Sequence, residues 1–154
     1  MAFNAVNPKV VNYGEGRIGL ERDRLAIAAS QTWKQGEFGI FTPGGTLSVC
    51  SAGDIPTHIF REDRSIAEDS TVVEVDRIET GIQLEMYCTA AVGVANIGVT
   101  YDLQLSGSNT HIVDLSATND DVFRVTDIAA VYEPERNATS DNPGKCIVEI
   151  MKVI

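Results

Sequence analysis

Apolar and polar residues alternate along much of this chain. In "IQLEMYC" (82–88), Ile82, Leu84, Met86 and Cys88 take turns with Gln83, Glu85 and Tyr87. Successive strand side chains point to opposite faces, so this period of two predicts a strand with one face on a core. "VTYDLQL" (99–105) repeats it, with Val99, Tyr101, Leu103 and Leu105 opposite Thr100, Asp102 and Gln104. "TVVEVDRI", "VFRVTDIAAVY" and "CIVEIMKVI" are rich in β-branched and aromatic residues, which suit a pleated, half-buried surface.

Turn-forming clusters separate these runs. "TPGG" (42–45) predicts a hairpin between "EFGIF" and "TLSVC". "SAGDIP", "REDRSIAEDS", "SGSNT", "SATNDD" and "TSDNPGK" supply the later breaks. The expectation is an all-β fold, a small antiparallel barrel or sandwich of about nine short strands with at most one short helix. The helical candidate, "GLERDRLAIAAS" (19–30), reads equally well as charged loop followed by strand. The opening "MAFNAVNPKVVN" has apolar residues without turn-bounded alternation, and Pro8 limits any helix. Residues 1–19 are therefore read as an extended N-terminal arm with a glycine-rich joint, and 20–154 as a single β-rich domain.

Charge narrows the choice of partner. The 154 residues carry a formal net charge of −10. No Lys or Arg stands between Arg77 and Arg124, while Glu79, Glu85, Asp102, Asp114, Asp120 and Asp121 do. Nucleic-acid binding rests on cationic contacts to phosphate, and anionic membranes attract the same residues, so neither partner is expected. No run approaches the roughly 20 apolar residues of a membrane span, and the first residues lack a signal-peptide pattern. The expected site of synthesis and residence is the cytoplasm.

Candidate chemistry is sparse. Gly14, Gly16 and Gly19 in "NYGEGRIG" have the G-x-G-x-x-G spacing of a dinucleotide loop. That loop works only between a strand and a helix of a βαβ unit, and no crossover helices follow. The glycines are better read as a joint. Cys50, Cys88 and Cys146 lie in apolar runs without C-x-x-C spacing, which predicts buried free thiols. His58 and His111 stand apart from other ligand residues and read as strand-edge or loop histidines. "TNDD" is too short for a calcium loop, and the carboxylate pairs at 62–63, 68–69 and 120–121 sit in polar turns. "SVCSAG" is no G-x-S-x-G elbow, and Asn137-Ala138-Thr139 is only a formal glycosylation acceptor. No catalytic residue, metal site or cofactor is expected.

Two segments carry a resemblance. Residues 34–63 place Gly36 and Glu37 at a strand start, Pro43, Gly44 and Gly45 in a tight turn, and Ala52, Gly53 and Asp54 in a small-residue turn. Residues 97–128 run from a glycine through a Tyr-containing strand and a polar hairpin to "VFRV". This phrasing resembles the decoration, or cement, proteins of tailed-bacteriophage heads, of the lambda type. The resemblance implies a non-enzymatic homo-oligomer, with a trimer favoured, on the outside of an expanded capsid. Its partners would be the major capsid protein and itself, and its place the virion exterior after synthesis in the host cytoplasm. It further implies that an N-terminal arm contacts the capsid, for which Phe3, Val6, Val10 and Val11 are the candidates here. The rivals are another phage structural or glycan-binding β-module, using Trp33, Tyr87, Tyr101 and Tyr132, and a trimeric all-β nucleotide hydrolase, whose glycine-leucine-aspartate motif is absent.

Overall fold

The computed structural model describes residues 8–13, 19–66, 71–106, 110–128 and 144–152. Of the arm candidates, Phe3 and Val6 lie outside these residues, as do Gly14, Gly16, Glu68, Asp69, Tyr132 and Asn137.

The fold is mainly β, as the alternation predicts. Thirteen strands, rather than about nine, occur among the described residues: β1 (Lys9–Asn12), β2 (Arg22–Ile27), β3 (Gln31–Trp33), β4 (Phe38–Phe41), β5 (Leu47–Val49), β6 (His58–Phe60), β7 (Arg64–Ile66), β8 (Thr71–Arg77), β9 (Gln83–Tyr87), β10 (Thr100–Leu105), β11 (His111–Asp114), β12 (Phe123–Ile128) and β13 (Lys145–Ile150). The excess comes from three- and four-residue strands, too short for alternation to mark. A 3₁₀ turn at Val94–Asn96 is the one helical element among the described residues. The segment "RDRLAI" is strand β2, since its partner β8 supplies a full antiparallel ladder from Arg22↔Asp76 to Ile27↔Thr71.

Strands β2-β5-β4-β6-β8 close a small barrel. Its pairs are antiparallel except β2 with β5, which meet in parallel at Ile27↔Leu47. The "TPGG" hairpin forms as expected. Gly45 adopts φ +85°, where a side chain would be strained, and Thr42 and Thr46 close the turn through N–H···O at 2.7 Å. The β3–β7 pair lies apart as a two-stranded ribbon, and buried Trp33 stacks on Phe60 with centroids 4.6 Å apart.

The remaining strands form a six-stranded sheet in the order β1-β9-β13-β12-β10-β11. This sheet curls. A bridge between Cys88 and Val113, with Thr89 N–H on Val113 O at 2.9 Å, returns β11 to the end of β9. The same edge of β9 is thus shared: β11 touches it at residue 88, and β1 covers residues 83–85. Two cores form. One holds Ile27, Leu47, Phe60, Val73 and Val75 of the barrel strands together with Trp33 and Ile66. The other joins Phe38 and Ile59 of the barrel to Leu84, Phe123, Val125 and Val148 of the sheet. Phe38 and Phe123 meet at 5.8 Å across this junction.

Candidate functional site

The expected arm borders an open cleft. Lys9–Asn12 pair with β9 as an edge strand, through Lys9↔Glu85, Val10↔Leu84 and Asn12↔Gln83, with an irregularity between Val10 and Asn12. Alternation decides which arm residues stay available. Val10 packs against the core, whereas Val11 and Tyr13 are exposed. Of the two described candidates, Val11 presents its side chain outward and Val10 anchors the strand.

Between β1 and the barrel runs an open cleft of about 640 Å³. Pro8, Lys9, Val10 and Tyr13 form one side, and Lys34–Gly36, Ile59–Arg61, Asp63 and Asp76 the other. The barrel side is held in place by its own hydrogen bonds. Gly36 N–H donates to Phe60 O at 3.0 Å, Phe60 N–H to Glu37 O at 2.9 Å, and Gln35 N–H to the Asp63 carboxylate at 2.8 Å. Arg61 is committed to Asp76 at 2.8 Å. Lys9 and Lys34 have no carboxylate partner among the described residues, so the cleft offers two uncommitted cations beside apolar surface. The lining thus sets Lys9, Lys34 and Arg61 against Asp63 and Asp76.

Three polar constellations lie outside the cleft, and sequence reasoning missed their burial. His58 and His111 are both buried, each as the first residue of its strand. His58 Nε2 lies 2.8 Å from the Asp23 carboxylate, and its Nδ1 lies 2.9 Å from Thr57 Oγ. Arg77 grips Asp23 from the other side at 2.7 and 3.0 Å. Carboxylate, imidazole and hydroxyl stand in the order of a nucleophilic triad, yet Thr57 is buried and donates its own proton to Gly39 O at 3.2 Å. Neither cleft described here opens onto it. The arrangement is a pin between β2, β6 and β8. Burial lowers the His58 pKa, with Asp23 opposing, while the Arg77 hydrogen bond chiefly lowers that of Asp23.

Asp102 is the second constellation. Its buried carboxylate accepts the backbone N–H groups of Asn119, Asp120 and Asp121 at 3.0, 2.8 and 3.1 Å. The acidic turn "TNDD" is therefore tied down by one carboxylate, with Asp121 at φ +54°. Among the described residues no three His, Cys, Asp or Glu side chains gather as a metal site.

The third surrounds His111, which with Cys50, Glu37 and Leu105 lines a smaller cleft of about 340 Å³. Burial pushes the Cys50 thiol up, and Asp54 adds to this, so the sulfur stays protonated and weakly nucleophilic. All three cysteines are free and buried, as their apolar settings predict. Trp33, Tyr87 and Tyr101 are buried too, which removes them as flat platforms for sugar stacking. At Gly19 no helix opens, since strand β2 begins at Arg22. Comparison with protein-family models, curated proteins and solved structures finds no match.

Proposed function

We propose that this protein is a non-enzymatic structural protein that decorates and stabilises the outer surface of a tailed-phage capsid. It works without a cofactor as a homo-oligomer, a trimer being favoured, bound to the major capsid protein. The observation that carries this reading is the N-terminal strand. It adds to the body by a short edge ladder, leaves Val11 and Tyr13 exposed, and borders a cleft with the two uncommitted cations Lys9 and Lys34. Phe3 and Val6 precede it in the sequence and extend the same apolar segment. Apolar contacts would offset the cost of ordering such an arm, and several arms in one oligomer would bind cooperatively through high effective concentration.

The test is co-sedimentation with expanded heads of the virus that carries the gene. Full-length protein is compared with deletions of residues 1–7, which spares β1, and of 1–13, which removes it. Retained folding with lost co-sedimentation supports the arm as the capsid contact. Undiminished binding of the longer deletion overturns the arm's role, and failure of the full-length protein to bind overturns the function. Light scattering of the free protein checks the trimer.

A further inference from the structure

Cys88 closes strand β9, and Cys146 lies near the start of β13, its antiparallel neighbour. Cys146 is opposite Met86, and Cys88 N–H donates to Gly144 O at 2.8 Å, so the two cysteines are diagonal neighbours on one face of the ladder. Their sulfurs are in contact at 3.3 Å, with neither residue exposed. Cys50 packs in the same core but under the barrel, beside Phe38 and His111. We propose that Cys88 and Cys146 are a latent disulfide pair, a modification site that closes when the chain folds or opens locally in the presence of a small disulfide oxidant.

The step balances with oxidised glutathione as the oxidant. One cysteine thiolate attacks a glutathione sulfur, breaking the S–S bond and releasing one glutathione thiolate. The neighbouring thiolate then attacks the mixed disulfide and expels the second glutathione. Two electrons pass to glutathione, and the two protein thiol protons end on the two glutathione thiols. The sulfurs must approach by about 1.2 Å to reach bonding distance. The contact with Cys88, and after it burial, hold the Cys146 thiol well above the ordinary range, so the folded protein reacts slowly. Refolding supplies the open state. The bond would tie residues 58 apart in sequence and fasten β13, which lies between β9 and β12, to its neighbour.

Full-length protein is refolded with oxidised and reduced glutathione, then alkylated and mapped by mass spectrometry. Before alkylation the expected product is lighter than the reduced protein by about 2 Da; after it, the Cys88 and Cys146 peptides are joined and Cys50 carries the alkyl group. Its Tm should exceed that of the reduced protein by about 5–10 °C, and added reductant should restore the lower value. Cys146→Ser, or Cys88→Ala if that variant does not fold, should show no such product. Absence of the Cys88–Cys146 link, links scrambled through Cys50, or a linked protein melting no higher than the reduced one each overturns the proposal.

Discussion

The Nδ1 atom of His111 accepts a hydrogen bond from the Phe38 amide at 2.7 Å, so a side chain of the six-stranded sheet completes the backbone ladder of the barrel. Cys50 N–H already donates to Phe38 O at 2.9 Å. The return bond, Phe38 N–H to Cys50 O, is replaced by the imidazole, whose Nε2 donates to Cys50 O at 3.2 Å. The ring also stacks on Phe38 at 5.5 Å. His111→Leu keeps the bulk but leaves a buried donor and a buried acceptor without this bridge. It should destabilise the protein by about 2–4 kcal/mol in urea unfolding. A loss below about 0.5 kcal/mol would mean that the bridge does not hold barrel to sheet.

The same imidazole makes stability depend on pH. Burial lowers its pKa to about 4 from the ordinary 6.5. In this interval the unfolded chain binds the proton and the folded chain does not, so stability rises with pH. The contribution is fully present above about pH 6.5 and is lost as pH falls towards 4, amounting to about 3 kcal/mol in all. His111→Gln cannot titrate. The stability gap between wild type and this variant should therefore narrow between pH 7 and pH 4, measured by urea unfolding at each pH.

Asp23 is held below the ordinary carboxylate range chiefly by its hydrogen bond to Arg77. Its stabilising effect is present above the usual carboxylate pKa and disappears as pH falls through the lowered value. Arg77→Gln should raise the Asp23 pKa and move this acid limb to higher pH. Carbon-detected NMR titration of the carboxyl group reads it directly; an unmoved Asp23 would mean that His58 alone sets the site.

Strands β8 and β13 were legible in the sequence because each buries one face along its whole length. "TVVEVDR" and "KCIVEI" become β8 and β13 with buried residues at alternate positions. Strands β3 and β7 have three residues each, fewer than two full periods, so only their partners define them, whereas β5, equally short, was legible through the "TPGG" turn before it. Strand β1 was read as arm because its ladder lies on β9, far along the chain. The polar constellations were hidden for a related reason. His58 finds Asp23 at 35 positions' distance and Phe38 finds His111 at 73, so no local pattern announces that either imidazole is buried. The cleft was half legible: Val10 and Val11 drew attention to one wall, while Lys34 and Arg61 join it only through barrel closure.

Gly144 marks a position where backbone is packed against backbone. A Cβ added there would come within 2.6 Å of Val92 N and 2.9 Å of Ala90 O. Gly144 N–H also donates to Ala90 O, and Gly144 O accepts from Cys88, so the residue cannot retreat without breaking the entry to β13. Gly144→Ala should cost about 2–3 kcal/mol, checked by chemical unfolding. An equal change at Gly93, whose Cβ position meets nothing within 4 Å, should cost under about 1 kcal/mol.

Strand β1 should be the first part of the described structure to detach. Three register pairs on one neighbour hold it, and only Val10 of its residues packs against the core. β13, by contrast, is paired on both sides, to β9 and β12, with Cys146, Val148 and Ile150 fully buried. Local opening costs less where few buried contacts are lost, so amides of residues 9–12 should exchange with solvent at least about 100-fold faster than those of 146–150. Val10→Asp removes the one apolar anchor and should raise that difference further while leaving the β9–β13 amides protected. Detachment also uncovers the 83–85 edge of β9, a row of unpaired backbone groups that invites intermolecular pairing. Val10→Asp and the deletion of residues 1–13 should therefore self-associate more readily than wild type as concentration rises, measured by sedimentation velocity. Equal protection of residues 9–12 and 146–150 would instead make β1 a fixed member of the sheet.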